Sequence, residues 1–242
     1  MTHEYKIIDK SIYFPKQEIL ALGDLHLGYE EMLKAQGLFF PLNQLQTTKE
    51  DIEKIMEKLR KRGHGLKKII LLGDIKHHFS FDIGEKISIR AFLKFLTKYV
   101  SNQNIIVIKG NHDTIEMENK KYHKYYIKDG LAFTHGDKTY EEIFSEEVKA
   151  IVMSHIHPAA IIRDPEGVKR EKFKCFLIGR YKEKKIIITP SFLPMVEGSE
   201  INEYEDSSKW EQVVPKENLS NFETLILGED KVYNFGEYGG LN

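Results

Sequence analysis

Five short segments of this 242-residue chain carry side chains that ligate metals or move protons. They are Gly23-Asp24-Leu25-His26, Gly73-Asp74, Gly110-Asn111-His112-Asp113, Thr134-His135-Gly136-Asp137 and His155-Ile156-His157. Carboxylate, imidazole and amide oxygen are hard to borderline donors. They suit Mn²⁺ first, with Fe, Zn, Ni or Co as further fits. A carboxylate can bridge two such ions about 3.5–4 Å apart, and the pair clamps the attacking and leaving oxygens of a displacement at phosphorus. Bound ions also lower the pKa of water and supply hydroxide near neutral pH. A single Gly-Asp after a strand is usually a turn, and a single His-x-His is a weak sign. Five such ends in succession are hard to explain as turns and point to a metal site.

The elements that must hold these residues are legible as short apolar runs. Glu18–Leu22, Lys68–Leu72, Asn104–Lys109, Leu131–Thr134 and Lys149–Met153 are rich in Ile, Leu and Val, and each runs into one of the five segments. Runs of this length and composition read as buried strands. Ile52, Ile55, Met56 and Leu59 recur at i, i+3, i+4, i+7. Thr47-x-x-Glu50 offers a capping box and Gly63 a stop, so a helix is expected between the first two strands. A second helix is expected over about Gly84–Tyr99, with Ile87, Ala91, Phe95 and Tyr99 on one face. Strand, helix, strand, helix, strand predicts parallel neighbours, and ligands gather at the carboxyl ends of such strands. After His157 the runs Phe173–Ile178, Lys185–Thr189, Phe222–Leu227 and Lys231–Phe235 have little helix between them. They predict a largely antiparallel second sheet, with residues 197–217 as a polar loop. No Pro/Gly/Ser linker separates the halves, so one domain over residues 1–242 is expected.

Composition narrows the class. Hydrophobic residues are 41% and charged residues 30%, with Lys+Arg 36 against Asp+Glu 37, which is too apolar and too neutral for a disordered chain. One cysteine among 242 residues forbids an intrachain disulfide and fits a reducing compartment. It also leaves metals to nitrogen and oxygen donors. The first ten residues lack a secretory apolar core, and no apolar run reaches the 18 residues of a membrane span. A soluble, cytoplasmic protein with no membrane partner is the expectation. Of the ten histidines, five fall in the segments above, His3, His64 and His123 read as bystanders, and His77 and His78 stay open.

The order of the five segments resembles the calcineurin-like metallophosphoesterases. Asp24-Leu25-His26-Leu27-Gly28-Tyr29-Glu30, Gly73-Asp74-Ile75-Lys76-His77, Ser154-His155-Ile156-His157-Pro158 and Pro190-Ser191-Phe192 are similar to archaeal phosphoesterases related to the DNA-ligase-associated, or ICC-like, branch. The resemblance implies an α/β fold, a four-layer αββα sandwich of two mixed sheets flanked by helices. It implies two divalent metal ions, one on Asp24, His26 and His157 and the other on Asn111, His135 and His155. Asp74 would bridge them with a hydroxide beside it, and His112 would be the general acid, a role that suits an imidazole near neutral pH. A phosphate-ester substrate follows, with phosphodiesters favoured over phosphomonoesters, and a metal-free scaffold set aside because every ligand position is filled.

Two departures matter. Ser154 stands where the family usually has Gly, which is expected to alter only the turn. His77 and His78 stand where many family phosphatases have Asp and Arg, which there steer the catalytic His and contact phosphate. Asp113 or Asp137 is then a candidate orienter of His112, and His78 a candidate phosphate contact or simply a loop histidine. Charge is also uneven. Residues 163–185 hold nine Lys/Arg against four Asp/Glu, and residues 197–211 six acids against one Lys. The basic stretch would track a nucleic-acid backbone, or face the acidic loop of the same molecule or of a homodimer mate. Tyr122, Tyr125 and Tyr126 would stack bases or belong to an edge strand.

Overall fold

The computed structural model describes residues 4–38, 43–78, 83–114, 120–164, 166, 169–200, 212–228 and 231–240. Its first sheet orders six strands: β1 (Lys6–Ile8), β2 (Ser11–Phe14), β3 (Ile19–Leu22), β4 (Lys68–Leu71), β5 (Ile105–Ile108) and β6 (Tyr122–His123). β1, β2 and β3 pair antiparallel, whereas β3, β4, β5 and β6 pair parallel. The three parallel strands expected in the first half are therefore neighbours. The β1–β2 hairpin was not foreseen, because Lys6–Ile8 and Ser11–Phe14 are too short to stand out as periodic runs.

The second sheet contains β7 (Tyr125–Lys128), β8 (Leu131–Thr134), β9 (Ala150–Met153), β10 (Pro158–Arg163), β11 (Arg170–Tyr181), β12 (Lys184–Ile188) and β13 (Ser199–Glu200). Its order is β13-β10-β11-β12-β9-β8-β7, and β14 (Glu223–Leu227) joins β11 to β15 (Val232–Glu237). The four strands expected there pair antiparallel, β11 with β12 and β14, and β14 with β15. The sheet is mixed because β8, β9 and β12 run parallel. One expectation is corrected. The change of pattern placed after His157 comes earlier, at Lys124, where the chain leaves β6 for β7. The parallel partner of β9 is a strand far ahead in sequence, and such long-range pairing leaves no local mark.

Period-2 alternation sorts the strand residues into layers. Ile19, Ala21, Ile70, Leu72, Ile106 and Ile108 point inward and meet Phe133, Val152, Phe176 and Ile187 from the second sheet, in one buried cluster. The alternate residues Leu20, Leu22, Ile69, Leu71, Ile105 and Val107 face two helices, α2 (Gln44–Lys61) and α3 (Ile83–Leu96). A shorter helix, α1 (Tyr29–Ala35), precedes them. The outer face of the second sheet is covered more thinly. Ile143 from a 3-10 turn, Val213, Val214 and Leu219 of α4 (Lys216–Leu219) pack there with buried Cys175. The fold is thus the expected α/β sandwich of two mixed sheets, with its fourth layer made of short turns. Residues 197–217 contribute β13 and the start of α4, and 201–211 lie outside the described residues.

Both helices differ from expectation in instructive ways. α2 starts earlier than its capping box, because Asn43 accepts the Gln46 amide at 2.9 Å and Thr48 bonds back to the Gln44 carbonyl at 2.8 Å. α3 ends at Leu96 and buries Glu85, Ile89, Phe92, Leu93, Phe95 and Leu96. Ile87, expected on the inner face, is 59% exposed. Among the described residues no helix is long and apolar enough to cross a membrane.

Candidate metal centre

The site forms where the carboxyl ends of β3, β4 and β5 meet those of β8 and β9. Backbone and side-chain bonds lock these loops together. The Asp24 amide donates to the Gly73 carbonyl (3.1 Å) and the His26 amide to the Asp74 carbonyl (2.9 Å). The Phe192 and Leu193 amides donate to the Gly23 and Asp24 carbonyls, and the Ser191 hydroxyl also reaches the Asp24 carbonyl at 3.0 Å. The Pro190-Ser191-Phe192 segment therefore pins the loop that carries Asp24. Ser154 is more than a turn variant: its hydroxyl donates to the Leu72 carbonyl at 3.0 Å, tying the two sheets together.

Five of the seven candidate ligands adopt positive φ: Asp24 (56°), His26 (43°), Asp74 (49°), His155 (73°) and His157 (47°). Non-glycine residues visit this region at a cost of about 1–3 kcal/mol each, and such strain clusters at functional sites. Gly73 is also left-handed at φ 95°, and a Cβ there would lie 2.5 Å from His135 Nδ1. Only glycine permits the strand ends to close this tightly.

The side chains converge in two groups. Asp24, His26, Asp74 and His157 each offer a donor atom within 4.8 Å of the others, and so do Asp74, His135 and His155. Asp74 belongs to both. Its Oδ2 lies 3.7 Å from His26 Nε2 and 3.4 Å from His135 Nε2. Asn111 Oδ1 joins the second group at 3.1 Å from His135 Nε2. His26 Nε2 and His157 Nε2 stand 3.3 Å apart, and His135 Nε2 and His155 Nδ1 stand 3.0 Å apart. Imidazole nitrogens aimed at one another beside buried carboxylates are a donor set that fits divalent cations. His135 Nδ1 faces the Leu72 carbonyl at 2.8 Å, so Nδ1 carries the hydrogen and Nε2 presents its lone pair to the cluster.

The electrostatics agree. Burial would raise the Asp74 carboxyl, yet His135 and His26 beside it hold it well below the carboxylate range. Burial would lower the His135 imidazole, but Asp74 and Asp24 override it and push it up to about 10. Burial pushes His26 down to about 3 against the pull of the same carboxylates. His155 falls to about 4, through burial and then His135. Carboxylates that raise a buried imidazole this far make a negative potential that favours a cation, which would take the proton's place on Nε2. Burial pushes the Cys175 thiol up, and it offers no thiolate.

His112 sits at the rim, half-buried. Its amide donates to Asp74 Oδ1 at 2.9 Å, and its Nδ1 lies 2.6 Å from the His77 carbonyl. A carbonyl only accepts, so Nδ1 bears the hydrogen and a transferable proton would sit on Nε2. Where a carboxylate of Asp113 or Asp137 was expected as the orienting partner, this carbonyl faces His112 Nδ1. Asp113 instead ties its own loop to the one after β4, its oxygens accepting the Gly110 amide at 2.9 Å and the Ile75 and Lys76 amides at 3.1 and 3.2 Å. His77 and His78 sit close by, and the His77 and His112 rings stack at 5.6 Å. His77, His26 and His112 also group within 4.8 Å, and His77 Nε2 meets Met32 Sδ at 3.2 Å. The His78 ring packs edge-on against that of His77 at 5.7 Å between centroids, and its amide donates to Glu85.

Glu85 is the residue that sequence reasoning missed. It is buried, its Oε1 accepts the His77 and His78 amides at 2.7 and 2.8 Å, and its Oε2 lies 3.5 Å from buried Lys76. It therefore holds the peptide that orients His112. An acid in the first turn of a helix ordinarily reads as compensation of the helix dipole, which hid this role. Glu85→Gln is expected to lower stability by about 3 kcal/mol, because one partner of a buried charged pair is lost. Urea unfolding measures this, and an unchanged midpoint contradicts it.

The chain matches Metallophos, the calcineurin-like phosphoesterases, over residues 18–219. It belongs to the calcineurin-like phosphoesterase family. A metal-dependent phosphoesterase with a two-metal site is what that membership implies, and the two ligand groups sharing Asp74 are where it would lie. The search of curated proteins finds no match. Among solved structures, a nuclease MPE from Pseudomonas putida is similar at 18% identity and TM-score 0.62, covering 96% of this chain and 100% of its own. A metallophosphoesterase from Sphaerobacter thermophilus aligns at 11% identity and TM-score 0.34, over 90% of this chain and 88% of its own.

The tyrosines and the basic stretch resolve mostly into packing. Tyr122 is buried in the helix-facing core, and Tyr126 packs against Phe133. Lys174 donates to the Ser191 and Leu193 carbonyls, Lys184 to those of Ser145 and Val148, and Lys182 lies over the Phe144 ring. These lysines of the 163–185 stretch are engaged within the fold.

Proposed function

We propose that this chain is a dinuclear metal-dependent phosphodiesterase, loaded with Mn²⁺ in preference to Fe, Zn, Ni or Co. The observation that carries the reading is the position of Asp74 Oδ2 between His26 Nε2 and His135 Nε2, shared by both ligand groups. Asp24, His26 and His157 would hold one ion and Asn111, His135 and His155 the other, with Asp74 between them. The ions, when bound, supply charge against the phosphoryl oxygens and a low-pKa water as nucleophile. The protein's own part is to hold its donors rigid and to manage one proton. Nδ1–H of His112 is held by the His77 carbonyl, which leaves Nε2–H to protonate the departing oxygen.

The preference for diesters has two supports. His77 and His78 replace the Asp and Arg of many family phosphatases, and without the guanidinium fork the additional unesterified oxygen and charge of a monoester lose a bidentate partner. The similar Pseudomonas putida structure is a nuclease, which favours a nucleic-acid or nucleotide diester and agrees with the ligase-associated resemblance. A Mn²⁺-supplemented screen of monoester, aryl diester, cyclic nucleotide, and single- and double-stranded nucleic acid tests the reading. Diester hydrolysis at least tenfold above monoester hydrolysis is expected; the reverse order contradicts it.

A further inference from the structure

Two lysines, one from each sheet, close on a single three-residue stretch behind the metal donors. Lys174 shares a face of β11 with Phe176 and Ile178, which belong to the apolar cluster between the sheets, so a cation there breaks the core-facing pattern of the strand. Its Nζ donates to the Ser191 carbonyl at 2.8 Å and to the Leu193 carbonyl. Among the described residues it has no carboxylate partner, so its charge is spent on main-chain oxygens. Lys10, in the turn between β1 and β2, donates to the Phe192 carbonyl at 3.2 Å and to Asp51 Oδ2 at 2.7 Å. Alternate carbonyls of one stretch thus go to opposite lysines.

The amides of the same peptides go to the Asp24 turn. The peptide between Ser191 and Phe192 takes Lys174 on its carbonyl and gives its N–H to the Gly23 carbonyl at 2.9 Å. The next peptide takes Lys10 on its carbonyl and gives its N–H to the Asp24 carbonyl at 3.1 Å. A cation on a peptide oxygen polarises that peptide and strengthens the bond its N–H makes. Both relays end on the turn where Asp24 stands at φ 56°, a conformation that persists only where the surroundings over-determine it. We propose that Lys10 and Lys174 are positioning residues for the ion of the Asp24 group, holding, through the peptides of residues 191–193, the turn that presents the Asp24 carboxylate. This rests on the two-metal reading. The sign of the effect separates it from plain electrostatics. A lysine acting only as a nearby charge repels a cation, so its removal would tighten Mn²⁺ binding, whereas removal of a positioning lysine weakens it.

The test uses the chelator-stripped full chain, with Mn²⁺ as the probe, and the variants Lys174→Met and, losing a single carbonyl contact, Lys10→Met. Each is made in the parent, in His155→Ala, which disables the Asn111 group, and in His157→Ala, which disables the Asp24 group. Calorimetric titration is expected to show Mn²⁺ bound about tenfold or more weakly when Lys174→Met is added to His155→Ala, and within about twofold of unchanged when it is added to His157→Ala. Lys10→Met should act in the same direction with a smaller loss. Without metal, the Phe192 and Leu193 amides should exchange hydrogen about tenfold faster or more, while those of β9 keep their rates and report an intact fold. Unchanged or tighter Mn²⁺ binding in both variants overturns the proposal, even where exchange is faster, and so does equal weakening in the two backgrounds. A parent chain that binds fewer than two ions refutes the two-metal reading instead, and the exchange rates, read without metal, then decide whether the lysines hold the turn.

Discussion

Asp74→Asn is expected to reduce phosphoester hydrolysis by about 10³-fold or more, equivalent to roughly 4 kcal/mol of barrier. Asp74 is the one side chain common to both ligand groups, with Oδ2 near His26 and His135 and Oδ1 accepting the His112 amide. An amide keeps the shape and the acceptor for that amide, so the fold and the His112 loop should survive. What it loses is the negative charge between two cations. Bound metal, counted by elemental analysis after gel filtration, should fall from two ions per chain to one or none. Full activity with two retained ions would remove Asp74 from the bridging position.

His112→Ala is expected to act differently. His112 is oriented by the His77 carbonyl and held near Asp74 through its backbone amide, which alanine keeps. Both ions should remain bound while turnover falls by about 10²–10⁴-fold, the range for a lost general acid. The loss should be largest for nucleotide or alkyl diesters, whose leaving oxygen needs a proton. It should shrink for aryl esters whose phenolate leaves unprotonated. A uniform loss across leaving groups would argue against proton donation by His112. Loss of metal would instead make it a ligand, as its grouping with His26 and His77 allows.

The donors were legible because strand chemistry is local. Ile-rich runs such as Ile69-Ile70-Leu71-Leu72 stop at glycine, and the next polar residue must emerge at the sheet's edge. What stayed hidden depends on partners distant in sequence. Leu131–Thr134 and Ala150–Met153 look like continuations of the first sheet, yet they pair in the second. In α3, Ile87 has the right periodicity for burial but faces solvent, while Glu85 is buried among amides of the β4 loop. Asp113 follows the Asn-His pair in sequence, and proximity suggested that it served His112. Its carboxylate instead ties its own turn to the β4 loop, and a main-chain carbonyl faces His112 Nδ1. Polar groups that answer to backbone atoms rather than to other side chains leave no motif to read.

The central claim is that this site works as a pair of ions. Its most direct test is a titration of the chelator-stripped chain with Mn²⁺, reading bis-aryl phosphate hydrolysis and bound metal together. Activity should be absent at the start and rise to a plateau at two ions per chain, Asp24, His26, Asp74 and His157 filling as one group and Asp74, Asn111, His135 and His155 as the other. Full hydrolysis by the stripped chain, or a plateau reached at one ion, would contradict the two-metal account.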